Sequence, residues 1–403
     1  MINMNMRLIC TSCGKDHPID EPHQRCEDCN EPLEVEHVRG KIKDSEIVWE
    51  RYSDFYSFIN QKLINELSLG EGNTPVVFSK RLSHELGNEI YLKDETQNPT
   101  WSFKDRGTLI GVIRAIQLGY QRIGTVSTGN MAASVSAYGA RAGLKTAILV
   151  RPDIPEEKIY PIVVYGSNLI EVEAKFGMIY RKSLEIGKKA GIYFINSDDP
   201  FRVEGYKTIG FEIAEWISKN GNLDYVVVPT GSGGLLRGIL KAFLELKSSG
   251  LVSEIPKFIA VQAEGCSPIA KAYEKGVDYI EEVEEPKTIA GAIADPLPPS
   301  GNEVLRKLKK HGMAMAVSDR EILEAQRMLS KSGIFVQPAS AATIAAIRRL
   351  SDGYTDYTDK RFLCILTGAG IKVVSAVKEM LKLESFNIQK TDLEGLKTTL
   401  ESV

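Results

Sequence analysis

Histidine is scarce in this chain, with five in 403 residues, and His17, His23, His37, His84 and His311 all fall outside the glycine- and hydroxyl-rich loops where chemistry is expected. Ser-His-Asp hydrolysis is therefore without its base. Long hydrophobic runs are missing too. No stretch approaches the roughly 20 apolar residues that cross a bilayer, and the opening MINMNMRLICTSCGKD lacks the apolar core of a secretory signal. The expectation is a cytoplasmic protein with no membrane partner. Nor is there an excess of positive charge: 50 Lys and Arg against 53 Asp and Glu give a net charge of -3, which offers no footprint for nucleic acid. Repeats of solenoid period and low-complexity tracts are absent. What remains is an ordinary globular composition, 43% hydrophobic and 26% charged, on a chain long enough for two or three domains.

Cysteine is also sparse, but four of the six are concentrated as two C-x-x-C pairs, Cys10 with Cys13 and Cys26 with Cys29, separated by 12 residues. A C-x-x-C turn can aim two thiolates at one metal, and two such turns complete the closed sulfur shell of a structural zinc. The other readings are two disulfides, disfavoured in a reducing cytosol, or a ribbon that has lost its metal. Cys266 and Cys364, with nothing basic beside them in sequence, read as small core residues. Residues 41–70 are mixed polar and aromatic, as in a connecting helix or linker.

From Glu71 onward, short β-branched runs (RIGTVST, KTAILV, SNLIEV) alternate with longer amphipathic stretches, and a second series follows (LDYVVVPT, KFIAVQAE, MAMAVS, FLCILTG). This alternation predicts βαβ units and an α/β fold of two doubly wound parallel-sheet domains, behind an N-terminal zinc-ribbon-like segment. Ligands of such sheets sit beyond the carboxyl ends of the strands.

The loops at those ends carry the chemistry. In VVVPTGSGGLLRGILKAF a buried strand runs into Gly231, Ser232, Gly233, Gly234 and Leu235 and then into a helix. Such a turn directs backbone N–H groups inward and adds a helix N-terminus, which suits a phosphate. It is not a Walker A loop, which needs Gly-Lys-Ser/Thr, nor a dinucleotide fingerprint, which needs glycine where Leu236 stands. The alternative is a tight turn with no ligand. In VSTGNMAAS, the residues Ser127, Thr128, Gly129 and Asn130 offer hydroxyl, amide and backbone donors for a carboxylate or a ring hydroxyl, or serve as a plain helix cap. CILTGAG places the Thr367 hydroxyl at the edge of the same crevice, and SFKDRG supplies Lys104. A lysine, a phosphate cradle, a carboxylate loop and a lone hydroxyl form the inventory that pyridoxal phosphate requires.

The runs EGNTP, NPTWSFKDRG, STGN, NSDDPFRVEGYKT, TGSGG, GIFVQPASAA and LTGAG then mark a wider likeness. The chain resembles the threonine synthases within the tryptophan-synthase-β-like, fold-type II group of PLP enzymes, along nearly its whole length. The resemblance implies that Lys104 is the Schiff-base lysine, Asn130 the partner of the ring hydroxyl, Gly231 to Leu235 the cofactor-phosphate loop and Thr367 the partner of the pyridine nitrogen. It also implies that Asn196, Ser197 and Arg202 hold a substrate phosphate. It further implies a homodimer and a division into a 1–40 ribbon segment, a large domain of 41–106 with 206–403, and a small domain of 107–205. The family pattern differs at Trp101 (glycine), Met131 (threonine), Ser232 (a Gly-Asn start) and Gln337 (glutamate). Two of these sites neighbour the substrate phosphate and lose donors there. The rival expectations are therefore a serine/threonine dehydratase or a β-replacement enzyme such as a cysteate synthase, and, from another class, a non-catalytic zinc-ribbon interaction protein. With the cofactor site drawn from residues after Glu71, the ribbon is expected to be dispensable for it.

Overall fold

Every β-branched run named above becomes a strand, and the computed structural model describes residues 6–152, 154–381, 392–394 and 400. Three antiparallel strands, β1 (Arg7–Cys10), β2 (Asp16–Pro18) and β3 (Leu33–Val35), form the ribbon in the order β2-β1-β3. The main sheet contains β4 (Val76–Phe78) and β5 (Glu89–Asp94). The smaller sheet contains β6 (Arg122–Val126), β7 (Lys145–Val150), β8 (Asn168–Glu171) and β9 (Tyr193–Phe194). The main sheet is completed by β10 (Tyr225–Pro229), β11 (Lys257–Ala263), β12 (Gly312–Val317) and β13 (Arg361–Leu366). Strands β10, β11 and β13 are buried almost without interruption, as expected for parallel strands covered by helices on both faces.

The six-stranded sheet runs β12-β11-β10-β13-β5-β4 and the four-stranded one β8-β7-β6-β9. All pairs within them are parallel except the β4–β5 edge. Each sheet reverses its direction of growth once, between β10 and β13 in the large sheet and between β6 and β9 in the small one. Crevices open at such switch points, beyond the carboxyl ends of the strands. The loops that leave those four strands hold Gly231–Gly234, Thr367, Ser127–Asn130 and Asn196–Ser197.

Local sequence explains why the helices begin where they do. Asp199 accepts from the backbone N–H groups of Phe201 and Arg202 at 3.0 and 3.1 Å, with Pro200 in the first turn. That cap starts the helix Pro200–Asn220 directly after the Asn196–Ser197 loop. The helix Gly234–Ser248 starts differently. Its N-cap, Gly233, has φ +93° and no side chain covers the first N–H groups, so a ligand can take them.

The ribbon is part of the main core. Leu8, Leu33 and Val35 are fully buried in the hydrophobic cluster that also holds Tyr206, Leu236 and Leu240. Arg237 on the helix Gly234–Ser248 donates to the Leu33 carbonyl at 2.9 Å, and Lys241 donates to the Val35 carbonyl and to Glu204. The segment thus packs on the helix that starts in the glycine turn.

Candidate active site

The loops at both switch points line one cleft of about 1860 Å³. On its wall stand Lys104, Ser127, Thr128, Gly129, Asn130, Ser197, Gly231, Ser232, Gly233, Gly234, Leu235 and Thr367. Residues up to 263 apart in sequence are thereby brought together. Asn196 and Arg202 are buried and are not among the lining residues. Asn196 is held between the end of β6 and the helix Phe176–Ala190, accepting from Val126 N–H at 3.1 Å and donating to Ser183 at 3.1 Å.

Lys104 opens the helix Lys104–Gln117, with its ammonium nitrogen 4.4 Å from the Phe103 ring centroid. Burial and then the Arg202 cation hold its pKa down at about 7, with Asp295 opposing. About half of the amine is therefore free near neutrality, against fewer than about one in a thousand for an ordinary lysine. The turn Gly231–Gly234, which lines the same cleft, needs its glycines. A Cβ on Gly231 would lie 3.0 Å from the Ile293 Cα, and one on Gly234 would lie 2.7 Å from the Ser197 carbonyl oxygen.

Gln337 links the two remaining ring-binding candidates. Its Nε2 donates to Thr367 Oγ1 at 3.1 Å, and its Oε1 accepts from Asn130 Nδ2 at 2.9 Å. Thr367 Oγ1 also lies 3.0 Å from Ser340 Oγ, a contact in which either hydroxyl can donate, so when Ser340 donates the Thr367 proton can turn to another acceptor. A Cβ on Gly368 would fall 2.9 Å from Asn130 Nδ2, so this close approach requires glycine. The sequence showed Gln337 only as a departure from the family. Its bridging role needed the fold.

Asp295 was missed altogether, although it sits in the irregular ADPLPPSG loop. Its Oδ2 accepts from the Ser232 hydroxyl at 2.6 Å, and burial pushes its pKa up to about 6, with Ser232 and the Leu297 N–H opposing. Ser232 is thus oriented by a carboxyl group at the lip of the turn. Trp101 has φ +59° and is half exposed, so the family's glycine there matches the backbone conformation this loop requires.

Lysine, cradle, amide and hydroxyl on one wall fit pyridoxal phosphate. A narrow glycine turn before uncapped helical N–H groups suits its phosphate, and a lysine about half neutral with no carboxylate bonded to it suits its aldehyde. The four ribbon thiols fit zinc. Their sulfurs lie 3.4 Å apart for Cys10 and Cys29 and 3.7 Å apart for Cys13 with Cys26 and with Cys29. Four thiolates at about 2.3 Å from a zinc stand about 3.8 Å apart.

Between the ribbon and the cleft lies Arg25. Its Nε donates to the carbonyl of Asn30, the residue directly after the second C-x-x-C pair, at 2.8 Å, while Nη1 reaches Asp198 and the Pro299 carbonyl. One side chain therefore joins the knuckle, the Asn196–Ser197 loop and the loop that follows Asp295. In keeping with a ribbon that the cofactor site does not need, Arg25→Ala should raise KM for substrate with little change in cofactor content. A charge-assisted bond of about 1.5–3 kcal/mol corresponds to about 10-fold or more in kcat/KM. Steady-state kinetics with cofactor absorbance checks it; unchanged kinetics would make the ribbon independent of the substrate site as well.

The family described as pyridoxal-phosphate dependent enzyme matches residues 67–368. The threonine synthase of Methanocaldococcus jannaschii is 38% identical over 407 residues, covering 96% of this chain and 99% of that protein. The threonine synthase of Methanosarcina acetivorans is 34% identical and covers 91% of this chain and 92% of its own length. Among solved structures, the processed threonine deaminase isoform 2 of Solanum lycopersicum superposes with a TM-score of 0.67 at 21% identity, over 87% of this chain and 97% of that one. Maize serine racemase gives 0.66 at 20% identity, over 80% and 96%. At these identities the structural likeness concerns the fold alone.

Proposed function

The chain belongs to the pyridoxal-phosphate-dependent enzymes, and among them to the threonine synthases, and we propose that it converts O-phospho-L-homoserine and water to L-threonine and phosphate with the residues of this cleft. The observation that carries the reading is Lys104, an amine with its pKa near 7, on the same wall as the Gly231–Gly234 turn and Thr367. The dehydratase and β-replacement alternatives are not favoured, because the threonine synthases match across almost the full chain.

The backbone N–H groups of Gly231 to Leu235 would hold the cofactor phosphate, Asn130 the ring hydroxyl and Thr367 the pyridine nitrogen. A neutral hydroxyl there would leave that nitrogen unprotonated, which would favour elimination over transamination. When bound, pyridoxal phosphate supplies the electron sink that makes the substrate's α and β protons removable. Ser127, Thr128 and Gly129 hold the substrate carboxylate and fix the α carbon over Lys104. The Lys104 amine takes the α and then the β proton and returns protons at the γ and α carbons. Between those transfers the Cγ–O bond breaks and phosphate departs with the bonding pair, then the oxygen of water bonds to the β carbon as one water O–H bond breaks and its proton passes to the phosphate. Asn196, Ser197 and Arg202 are the residues we assign to the substrate phosphate.

The two sheets support the division into a ribbon, a large domain and a small one. A cytoplasmic homodimer is the assembly we propose, testable by light scattering; no described helix is long and apolar enough to cross a membrane. Assaying purified holoenzyme with O-phospho-L-homoserine, L-serine and L-threonine tests the reaction. The expected result is phosphate and threonine from the first at a kcat/KM at least about 100-fold above the deamination of the others. Preferential deamination of serine or threonine would replace the reading with a dehydratase.

A further inference from the structure

Arg202 is fully buried and no carboxylate of the described residues lies within ion-pair distance of it. Its Nη1 donates to Thr108 Oγ1 at 3.0 Å, its Nη2 donates to the Tyr206 hydroxyl, and its Nε has no partner. A desolvated cation without a counter-ion is costly unless an anion is brought to it. Arg202 itself is off the cleft wall, whereas Tyr206, one helical turn further along, is on it beside Ser197 and Gly234.

From this arrangement, and resting on the reaction proposed above, we infer that the Tyr206 hydroxyl is the donor through which the enzyme binds the phosphate of its substrate, with Arg202 behind it as the source of positive charge. The phenol oxygen accepts from Arg202, so its proton is free for another acceptor, and among the described residues no second partner takes it. The ring cannot swing aside. An added Cβ on Gly107 would lie 2.7 Å from the ring's Cε1 and one on Gly238 would lie 2.6 Å from the Tyr206 Cβ, so α-carbons of two helices pack against the residue, while the Phe103 ring stands 5.0 Å away between centroids. Two glycines thus make room for one aromatic residue that lines the cleft and whose hydroxyl is bonded to a buried cation. The Arg202 field also supports the donor role, since polarising the O–H bond strengthens what it donates to a phosphate oxygen.

This placement compensates for the donors lost elsewhere. Met131 on the cleft wall cannot donate, and the Ser232 hydroxyl is committed to Asp295. The cofactor phosphate has its own turn at Gly231–Leu235, so the two phosphate sites are separate and their ligands can be measured apart.

The test is Tyr206→Phe in the holoenzyme, which removes one oxygen and keeps the ring. KM for O-phospho-L-homoserine and the inhibition constant of inorganic phosphate should both rise about 10-fold, with cofactor absorbance and the affinity for phosphate-free L-homoserine unchanged. Tyr206→Gln, which returns a side-chain donor, should recover phosphate affinity to within a few-fold of the wild type. An unchanged inhibition constant in Tyr206→Phe, an equal loss for L-homoserine, or a Gln variant no better than Phe would overturn the inference. Should Tyr206→Phe fail to fold, the Gln variant decides alone: near-normal phosphate inhibition upholds the donor, and tenfold-weakened inhibition removes it. If the wild type does not turn over O-phospho-L-homoserine, the proposed reaction fails, independently of what phosphate inhibition shows.

Discussion

Lys104→Ala should lower kcat by at least about 10⁴-fold, since one amine carries every proton transfer assigned to the cleft. The fold should survive. Lys104 makes no ion pair among the described residues, and burial already disfavours its charged form, so truncation removes no buried partner. Borohydride reduction of the wild type followed by mass spectrometry should place the pyridoxyl mass on Lys104 and on no other lysine in the variant. Turnover within tenfold of wild type, or an adduct retained elsewhere, would refute the assignment. The pH dependence has a definite sign. Burial and the Arg202 cation both destabilise the ammonium form, so the pKa falls to about 7 and the reactive amine grows as pH rises. In cofactor-free protein, acylation of Lys104 should increase between pH 6 and 8 with a midpoint near 7. A midpoint near 10 would remove the electrostatic argument.

The largest stability effect should come two residues later. Arg106 is completely buried and grips two carboxylates. Its Nε and Nη2 reach Glu95 at 2.7 Å each, and its Nη1 reaches Glu212 at 2.6 Å. Glu212 is shared with the buried Lys93. This network joins the end of β5, the helix that begins at Lys104 and the helix Pro200–Asn220, and so sets the position of the Lys104 helix. Arg106→Met strands Glu95 and half of Glu212 in the core, at a cost of about 3–5 kcal/mol, measurable by denaturant unfolding. Adding Glu95→Gln should recover part of the loss, because one uncompensated charge is removed. A loss under about 1 kcal/mol would mean that water reaches the site. Against the burial that raises it, Arg106 and Lys93 hold the Glu212 pKa down at about 2. Its contribution is therefore complete above about pH 5 and fades as the pH falls toward 2.

Much of this protein is written locally. The runs RIGTVST, KTAILV, LDYVVVPT and FLCILTG are β-branched and bounded by turn residues, and each forms a strand, because a parallel strand buried on both faces needs little more than apolar side chains and a place to stop. Short edges were harder to read: β4 is three residues long and β9 two, too brief for any periodicity to register. The glycine turn was legible because few residues other than glycine tolerate the backbone that Gly233 adopts, and the C-x-x-C pairs because metal ligands keep a fixed spacing.

The partners across the cleft were not legible, and the reason is geometric. Insertion of β13 between β10 and β5 carries Thr367 to the switch point beside Gly231, and only then does Gln337 reach both Thr367 and Asn130. Asp295 became part of the site because its loop folds over Ser232, a contact between positions 63 residues apart with no spacing rule to announce it. Arg202 and Tyr206 stand four residues apart on one helix, so their contact is implicit in helical geometry. Yet the sequence could not tell which of them meets the cleft. That depends on how the helix is rotated against its neighbours, and here the glycines at 107 and 238 set the rotation by the volume they leave free. The sequence by itself determined the elements, the cradle and the lysine, which depend on residues near one another in the chain. Only the tertiary structure decided which side chains share the cleft, because strand order and helix rotation are settled by packing between distant segments.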